Sequence, residues 1–345
     1  MSEYNTPEAV LNLANIDPEF EQFLKQNPPP AGSNSIEALR KGFQILDKAN
    51  YDASPTYGTK ESTLTIRMRD GHENELRIVK PPTAPAEGSP LVTLIFGGAF
   101  SAGSNMQLIP VARMVAALYG ATAVALSYRL SPEHKFPTAP DDVWDGLNWL
   151  AENASALGAD LSKGWVVGGI SAGANLSAVS AQRALTQKLS SPITGLSLCI
   201  PLTITPESVP SKYKHLWLSR DQNANAPSFG AQQISNLGNW YSPDHTSELY
   251  SPFHSGASFA DLPPAHVQVA GMDPLRDDGL IYERALRENG VRTRLDVYPG
   301  VPHGHYLFFP GLKQSVKCKV DMIVGYGWLL GREVERERVE SMFGL

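Results

Sequence analysis

The chain has 345 residues, 42% of them hydrophobic and 19% charged, which is ample for a large buried core and fits one enlarged α/β domain with an appendage as well as two domains. A formal net charge of −6 with no basic block gives no electrostatic support for nucleic-acid binding. Residues 1–6 carry no signal-peptide pattern and no uninterrupted apolar run reaches about 18 residues, so neither a signal peptide nor a membrane span is expected. The two cysteines, Cys199 and Cys318, fall in no metal-ligand spacing. The expectation is a reduced, cytoplasmic setting with no metal and no cofactor.

Residues 1–50 read as a separate helical arm. Val10, Leu11, Leu13, Ile16, Phe20, Phe23 and Leu24 recur at helical spacing, interrupted by Pro18. The stretch 27–33, with Pro28, Pro29, Pro30 and Gly32, breaks the run, and Ile36, Leu39, Phe43, Ile45 and Leu46 resume it. The arm serves either as packing or as part of a lid over a site. Residues 62–68 alternate polar and apolar, Asp70-Gly71 follows, and 75–80 alternate again, which is the pattern of a hairpin. Residues 81–90 form a proline-rich surface loop.

From Leu91 onward, strands and helices alternate, implying a mostly parallel sheet covered on both faces. Expected strands are 91–96, 123–127, 166–170, 196–200, 266–271 and 294–298. Expected helices are 106–119, one opening at Asp141-Asp142 with aspartate as cap, 174–189, 278–288 and 313–330. Residues 203–262 break this rhythm with Pro206, Pro210, Pro227, Pro243 and Pro252 and many aromatics, and read as an insertion of short helices. The charged stretch 332–338 reads as a solvated tail of the last helix.

Chemistry concentrates on three positions just past the carboxyl ends of predicted strands, the edge where open parallel sheets bind ligands. The first is Ser171, at the centre of Gly169-Ile170-Ser171-Ala172-Gly173 between a strand and a helix. By chance alone about one chain in ten of this length would carry such a motif, so its partners decide the matter. Asp273 follows the strand 266–271 and His303 follows the last strand. A serine hydroxyl is a poor nucleophile near neutral pH. It needs a histidine to take its proton and a carboxylate to fix the histidine tautomer. The order Ser…Asp…His is that of the α/β-hydrolase fold. Asp277 and Asp278 compete with Asp273 but read as caps of the helix that follows. His305 and His134 compete with His303, which comes first in its turn. Gly97 and Gly98 follow a core strand and, with Ala172, are candidate backbone donors to an oxyanion. Phe100, Trp217, Phe229, Trp240 and Leu275 are candidates for the substrate pocket.

These segments resemble the hormone-sensitive-lipase-like branch of α/β-hydrolases, the esterases marked by His-Gly-Gly-Gly. The resemblance rests on Gly97-Gly98, the stretch 128–137 from Tyr128-Arg129-Leu130 to Phe136-Pro137, residues 169–175, Asp273-Pro274-Leu275-Arg276-Asp277-Asp278-Gly279, and Pro299-Gly300-Val301-Pro302-His303-Gly304. It implies an α/β-hydrolase fold with a helical cap built from residues 1–50 and 203–262 on a core of 51–202 and 263–345. Phe96 stands where the family has histidine, Ala99 where it has the last glycine, Ile170 where many members have aspartate, and His305 where phenylalanine is usual. The function expected is a serine hydrolase cleaving small, largely apolar carboxylic esters through an acyl-enzyme, its partner a small-molecule ester; a homodimer stays open. The competing readings are a non-hydrolytic lyase or cyclase, motivated by Phe96, and a ligand-binding receptor, against which an intact His303 argues.

Overall fold

The structure is a computed structural model that describes residues 4–27 and 35–345. The proline-rich break at 28–33 lies outside the described residues. The alternating and continuous apolar runs form one eight-stranded sheet of β1 (Lys60–Arg67), β2 (Glu73–Lys80), β3 (Leu91–Ile95), β4 (Thr122–Leu126), β5 (Trp165–Ile170), β6 (Gly195–Cys199), β7 (Ala265–Ala270) and β8 (Thr293–Tyr298). Their order across the sheet is β1-β2-β4-β3-β5-β6-β7-β8. β1 and β2 form the expected hairpin, and β2 pairs antiparallel with β4. Every other pairing is parallel.

The two kinds of strand follow from what covers them. β1 is exposed along most of its length and sits at an edge. β3 through β7 are buried at every position, because helices cover both faces. Helices Thr138–Asn153, Ala172–Gln187 and Arg276–Glu288 contribute Val143, Leu147, Leu176, Tyr282 and Leu286 to one core layer. Helices Ile109–Tyr119 and Lys313–Leu330 contribute Ala112, Val115, Val320 and Ile323 to the other.

The N-terminal arm forms helices Pro7–Asn12, Pro18–Gln26 and Ile36–Ala53, capped by the side chains of Thr6, Asp17 and Ser35. Pro18 starts its helix instead of breaking one, since its missing N–H costs nothing at that position. Residues 203–262 hold no strand; helices Ser219–Gln222 and Ala231–Tyr241 and short 3₁₀ turns make up the insertion. Among the described residues no helix is long and apolar enough to cross a membrane.

Three charged stretches do work that local reading did not assign. Asp142 caps no helix: it receives the Arg129 amide at 2.9 Å and its guanidinium at 2.7 Å. Residues 332–338 are no simple tail. The long helix stops at Gly331, and Arg336 opens a separate helix, Arg336–Met342, while reaching Asp321. Asp277 and Asp278, expected as caps, are fully buried and bind the insertion. Asp277 accepts from the amides of Leu218 and Ser219, both at 2.6 Å. Asp278 accepts from the amides of Thr203 and Ile204 at 3.1 Å, from Trp217 Nε1 at 3.2 Å and from Arg220 at 2.8 Å. Capping is a local signal; apart from the neighbouring Arg276, which pairs with Asp277, the donors to these carboxylates lie 58 to 75 residues away in sequence.

Replacing Asp278 with Ala should strip four donors of their acceptor and leave Arg220 uncompensated, destabilising the protein by roughly 3–5 kcal/mol. A denaturant midpoint measures this, and exchange of the Thr203 and Ile204 amides should accelerate with it. An unchanged midpoint would show that the insertion holds without this carboxylate. A pH prediction follows as well. Burial raises both Asp47 and Asp278 to about 6, above their value in an unfolded chain. Between about pH 4 and 6 these two carboxylates therefore hold more protons in the folded protein than in the unfolded chain, and their contribution to stability should fall as pH rises through that window, against the opposite contribution of His305, which burial keeps neutral in the fold. Substituting Asn at both positions should remove the falling contribution, so that stability rises more steeply with pH across that window in pH-dependent unfolding.

Candidate active site

The site begins with a conformation that β5 imposes on its last turn. Ser171 has φ 53° and ψ −115°, a left-handed geometry that costs energy for a side-chain-bearing residue. It persists because both sides are fixed. The Ser171 amide donates to Cys199 O of β6 at 2.8 Å, and its carbonyl accepts from the Asn175 amide in the helix that follows. The glycines are sterically required. A Cβ on Gly173 would lie 2.0 Å from Ile95 O, and one on Gly97 would lie 2.7 Å from Ile170 O. The turn after β5 and the loop after β3 thus meet backbone to backbone.

Asp273 and His303 reach the same edge from β7 and β8, which are neighbours in register up to Ala270 and Tyr298. Beyond the ladder the Met272 amide donates to Val301 O at 2.9 Å, carrying the two loops forward together. His303 Nδ1 is 2.7 Å from Asp273 Oδ2, and His303 Nε2 is 2.9 Å from Ser171 Oγ. The other oxygen, Asp273 Oδ1, accepts the Leu275 amide at 2.7 Å. Asp273 is fully buried, while Ser171 keeps 8% and His303 6% of their surface. The hydroxyl and imidazole are therefore reachable, while the carboxylate is shut away from water.

The competing histidines stand elsewhere. His305 is fully buried, with Nδ1 3.0 Å from Ser315 Oγ. Burial, helped by the nearby His303, pushes it down to about 3, so it is neutral at ordinary pH. His134 is exposed.

The loop after β3 corrects one expectation. Gly97 offers no free amide, because its N–H donates to Gln107 Oε1 at 2.8 Å. The amides of the next two residues, Gly98 and Ala99, have no acceptor among the described residues, and neither has that of Ala172 at the start of the helix after Ser171. Phe96, in the position where a histidine was expected, stacks on Tyr128 with ring centroids 4.2 Å apart and planes 7° off parallel. Tyr128 OH donates to Phe96 O at 3.0 Å. A ring stack and a phenol hold the loop at this point.

The pocket candidates divide. Phe229 lies on the site, its ring 4.6 Å from that of His303. Leu275 is buried directly behind Asp273. Phe100 is fully buried and stacked on Tyr241 at 4.1 Å, in a group with Phe136 and Tyr250 that packs the insertion down. Trp217 is committed to Asp278 and Arg220, and Trp240 is half-buried on the helix Ala231–Tyr241.

Polar side chains given no role beforehand brace the site through backbone carbonyls. Asn175 Nδ2 donates to Leu202 O and Tyr250 O, both at 2.7 Å, tying the helix after Ser171 to both ends of the insertion. Asn223 donates to Asp273 O at 3.0 Å, and Ser228 Oγ to His303 O at 2.8 Å. Their targets are main-chain atoms distant in sequence, so no motif spacing could have flagged them. Among the described residues no cluster of His, Cys, Asp and Glu could hold a metal ion.

The model of an alpha/beta hydrolase fold family, Abhydrolase_3, matches residues 92–307. Carboxylesterase NlhH of Mycobacterium tuberculosis is 37% identical over 308 residues, covering 87% of this chain and 92% of that protein. The crystal structure of vibralactone cyclase superposes with a TM-score of 0.85 at 30% identity, over 93% of this chain and 96% of that one. An esterase from Pyrobaculum calidifontis gives 0.73 at 30% identity, over 95% and 99%. The matched stretch is more than half of the chain and carries Ser171, Asp273 and His303, and with these relatives it places the chain in the α/β-hydrolase fold family, within its hormone-sensitive-lipase-like carboxylesterase branch.

Proposed function

We propose that this protein is a serine esterase that cleaves small, largely apolar carboxylic esters through an acyl-enzyme. The observation that carries the reading is the unbroken line from Asp273 Oδ2 to His303 Nδ1 at 2.7 Å and from His303 Nε2 to Ser171 Oγ at 2.9 Å. Ser171 Oγ attacks the ester carbonyl while His303 Nε2 takes its proton. Buried Asp273 holds the Nδ1 proton in place and stabilises the imidazolium. The oxyanion that forms is received by the amides of Ala172, Gly98 and Ala99, the last replacing Gly97 in the expected set. His303 then protonates the leaving alcohol, and water, activated by the same imidazole, releases the acid and frees Ser171.

Residues 1–50 and 203–262 act as the cap over this site. Support comes from Phe229 against His303 and from Ser228 and Asn223 on the backbones of His303 and Asp273. Phe229 is the strongest candidate for a substrate-facing wall, and its aromatic face favours an apolar acyl or alcohol group.

A second reading is a cyclase, in which a nucleophile within the substrate takes the place of water. The likeness to vibralactone cyclase favours it. Products formed in ¹⁸O-labelled water separate the two: hydrolysis places label in the acid, and cyclisation leaves the product unlabelled.

Ser171→Ala should lower kcat/KM on p-nitrophenyl acetate or butyrate by about 10⁴-fold or more, and should abolish covalent labelling by a fluorophosphonate. Turnover that survives the substitution would remove Ser171 as nucleophile. Across an acyl series, kcat/KM should be highest for acetate to butyrate and fall for dodecanoate; the opposite order would point to a long-chain substrate.

A further inference from the structure

The loop that carries the open donors is strained at two successive residues that bear side chains. Ala99 has φ 55° and Phe100 has φ 59°, both in the left-handed region that glycine occupies freely. Such geometry persists only where the surroundings over-determine it. Part of the hold is local. The Gly98 carbonyl accepts from the amides of Ser101 at 3.0 Å and Ala102 at 2.9 Å, and Ser101 Oγ lies 3.1 Å from Ala99 O. The rest comes from outside the loop. The Ser131 amide donates to Phe100 O at 2.9 Å, Ser131 Oγ lies 2.6 Å from Ser101 Oγ, and the Phe100 ring stacks on Tyr241 of the insertion at 4.1 Å.

One side chain of the N-terminal arm closes this assembly. Arg40, on helix Ile36–Ala53, donates from Nε to Ser101 O at 2.9 Å and from Nη2 to Ser131 O at 2.8 Å. Its Nη1 donates to Glu133 Oε1 at 2.8 Å, so a carboxylate pairs with the remaining side of the fork. Ser101 and Ser131 are 30 residues apart in sequence, and both are fully buried. Separate waters would satisfy the two carbonyls one at a time. A planar guanidinium holds both at a set separation, which a flexible lysine ammonium does not. The helix itself does not depend on Arg40. Towards its far end Arg113 donates to Tyr51 O at 2.9 Å and to Ser54 O at 2.7 Å, and Ser104 Oγ donates to Asp47 Oδ2 at 3.2 Å. Loss of the Arg40 fork therefore releases the loop and leaves the helix anchored.

We propose that Arg40 is a positioning residue for the oxyanion loop. By joining Ser101 O to Ser131 O it keeps Ala99 and Phe100 in their left-handed geometry, and with them the peptide planes of the donor amides. Relaxation at Ala99 and Phe100 would turn the adjoining planes, that of the Ala99 amide first, and misdirect the donors. The assignment rests on the esterase reading. It gives the N-terminal arm a part in catalysis without contact with substrate: strain in the loop is offset by a clip from a residue 61 positions earlier in the chain.

The test is a double-mutant cycle on the full chain with Arg40→Met, Ala99→Gly and the pair. It is read on p-nitrophenyl butyrate, with rates normalised to the sites that a fluorophosphonate labels. Arg40→Met should lower kcat about tenfold with KM nearly unchanged, less than the roughly 10²–10³ lost when a donor itself is removed. Affinity for butylboronic acid, which forms a tetrahedral adduct on the serine, should weaken by a similar factor, a readout that a purely structural role would not move. In the Ala99→Gly background the same substitution should cost about threefold or less, because glycine holds the left-handed geometry without help. Arg40→Lys, which keeps the charge and its pairing with Glu133, should retain most of the loss, since the fork is what spans the two carbonyls. If Arg40→Met does not fold, the same cycle is run with Arg40→Lys. A wild-type kcat in Arg40→Met, full recovery in Arg40→Lys, a change in KM alone, or an undiminished loss in the Ala99→Gly background overturns the proposal, while wild-type turnover leaves the esterase reading standing. Absence of wild-type turnover and of fluorophosphonate labelling removes the esterase reading, and the assignment with it.

Discussion

The contact on which the site depends is the approach of two backbones with no side chain between them. The turn after β5 lies against the end of β3 so closely that Gly173 has no room for a Cβ beside Ile95 O. The same approach brings Gly97 against Ile170 O. These contacts set the strained serine and the donor loop at fixed positions relative to each other, on elements that the sheet already holds. A site built this way has little freedom to relax, which is what preorganisation requires. The left-handed geometry of Ser171 survives because the ladder on one side and the helix on the other both bind its backbone.

Around this frame the remaining parts act as braces. β7 and β8 deliver Asp273 and His303 side by side, and the imidazole then spans back toward Ser171 on β5. The insertion fastens the loops that carry them through Asn223 and Ser228, and is itself anchored by the buried carboxylates Asp277 and Asp278. The N-terminal arm reaches the same loops from another direction. The Gly300 amide donates to Leu13 O at 2.8 Å, and the Asp17 amide to Gly300 O at 3.0 Å. Segments distant in sequence thus converge on backbone atoms of the site, and their anchoring and the site's geometry are linked.

The donor loop shows how a family feature can be replaced. With no histidine at position 96, the loop is kept by the Phe96–Tyr128 stack, the Tyr128 hydroxyl and the Gln107 amide. An aromatic pair at this spacing contributes on the order of 0.5–1.5 kcal/mol beyond the area it buries. Gln107 also occupies the Gly97 amide, while those of Gly98 and Ala99 have no acceptor among the described residues.

Local pattern was sufficient for much of this molecule. The period of the apolar residues distinguishes β1 and β2 at the edge from the continuously buried strands β3 to β7, because burial on one face or two is written directly into side-chain polarity. The strand–Gly-x-Ser-x-Gly–helix pattern located Ser171, and the order of strands placed Asp273 and His303 at the same edge, because parallel strands all end on one side. Tertiary structure alone decided how polar groups were spent. Asp142, Asp277 and Asp278 read as caps, but Asp142 holds Arg129 and the other two hold the insertion. Gly97 looks free until Gln107, ten residues on, folds back to its amide. Trp217 and Phe229 look alike as aromatics of one insertion, yet one packs on Asp278 and the other on His303. A hydrogen bond or ring contact between distant segments leaves no period in the sequence, so only the packed chain determines which of several chemically suitable residues is free to act.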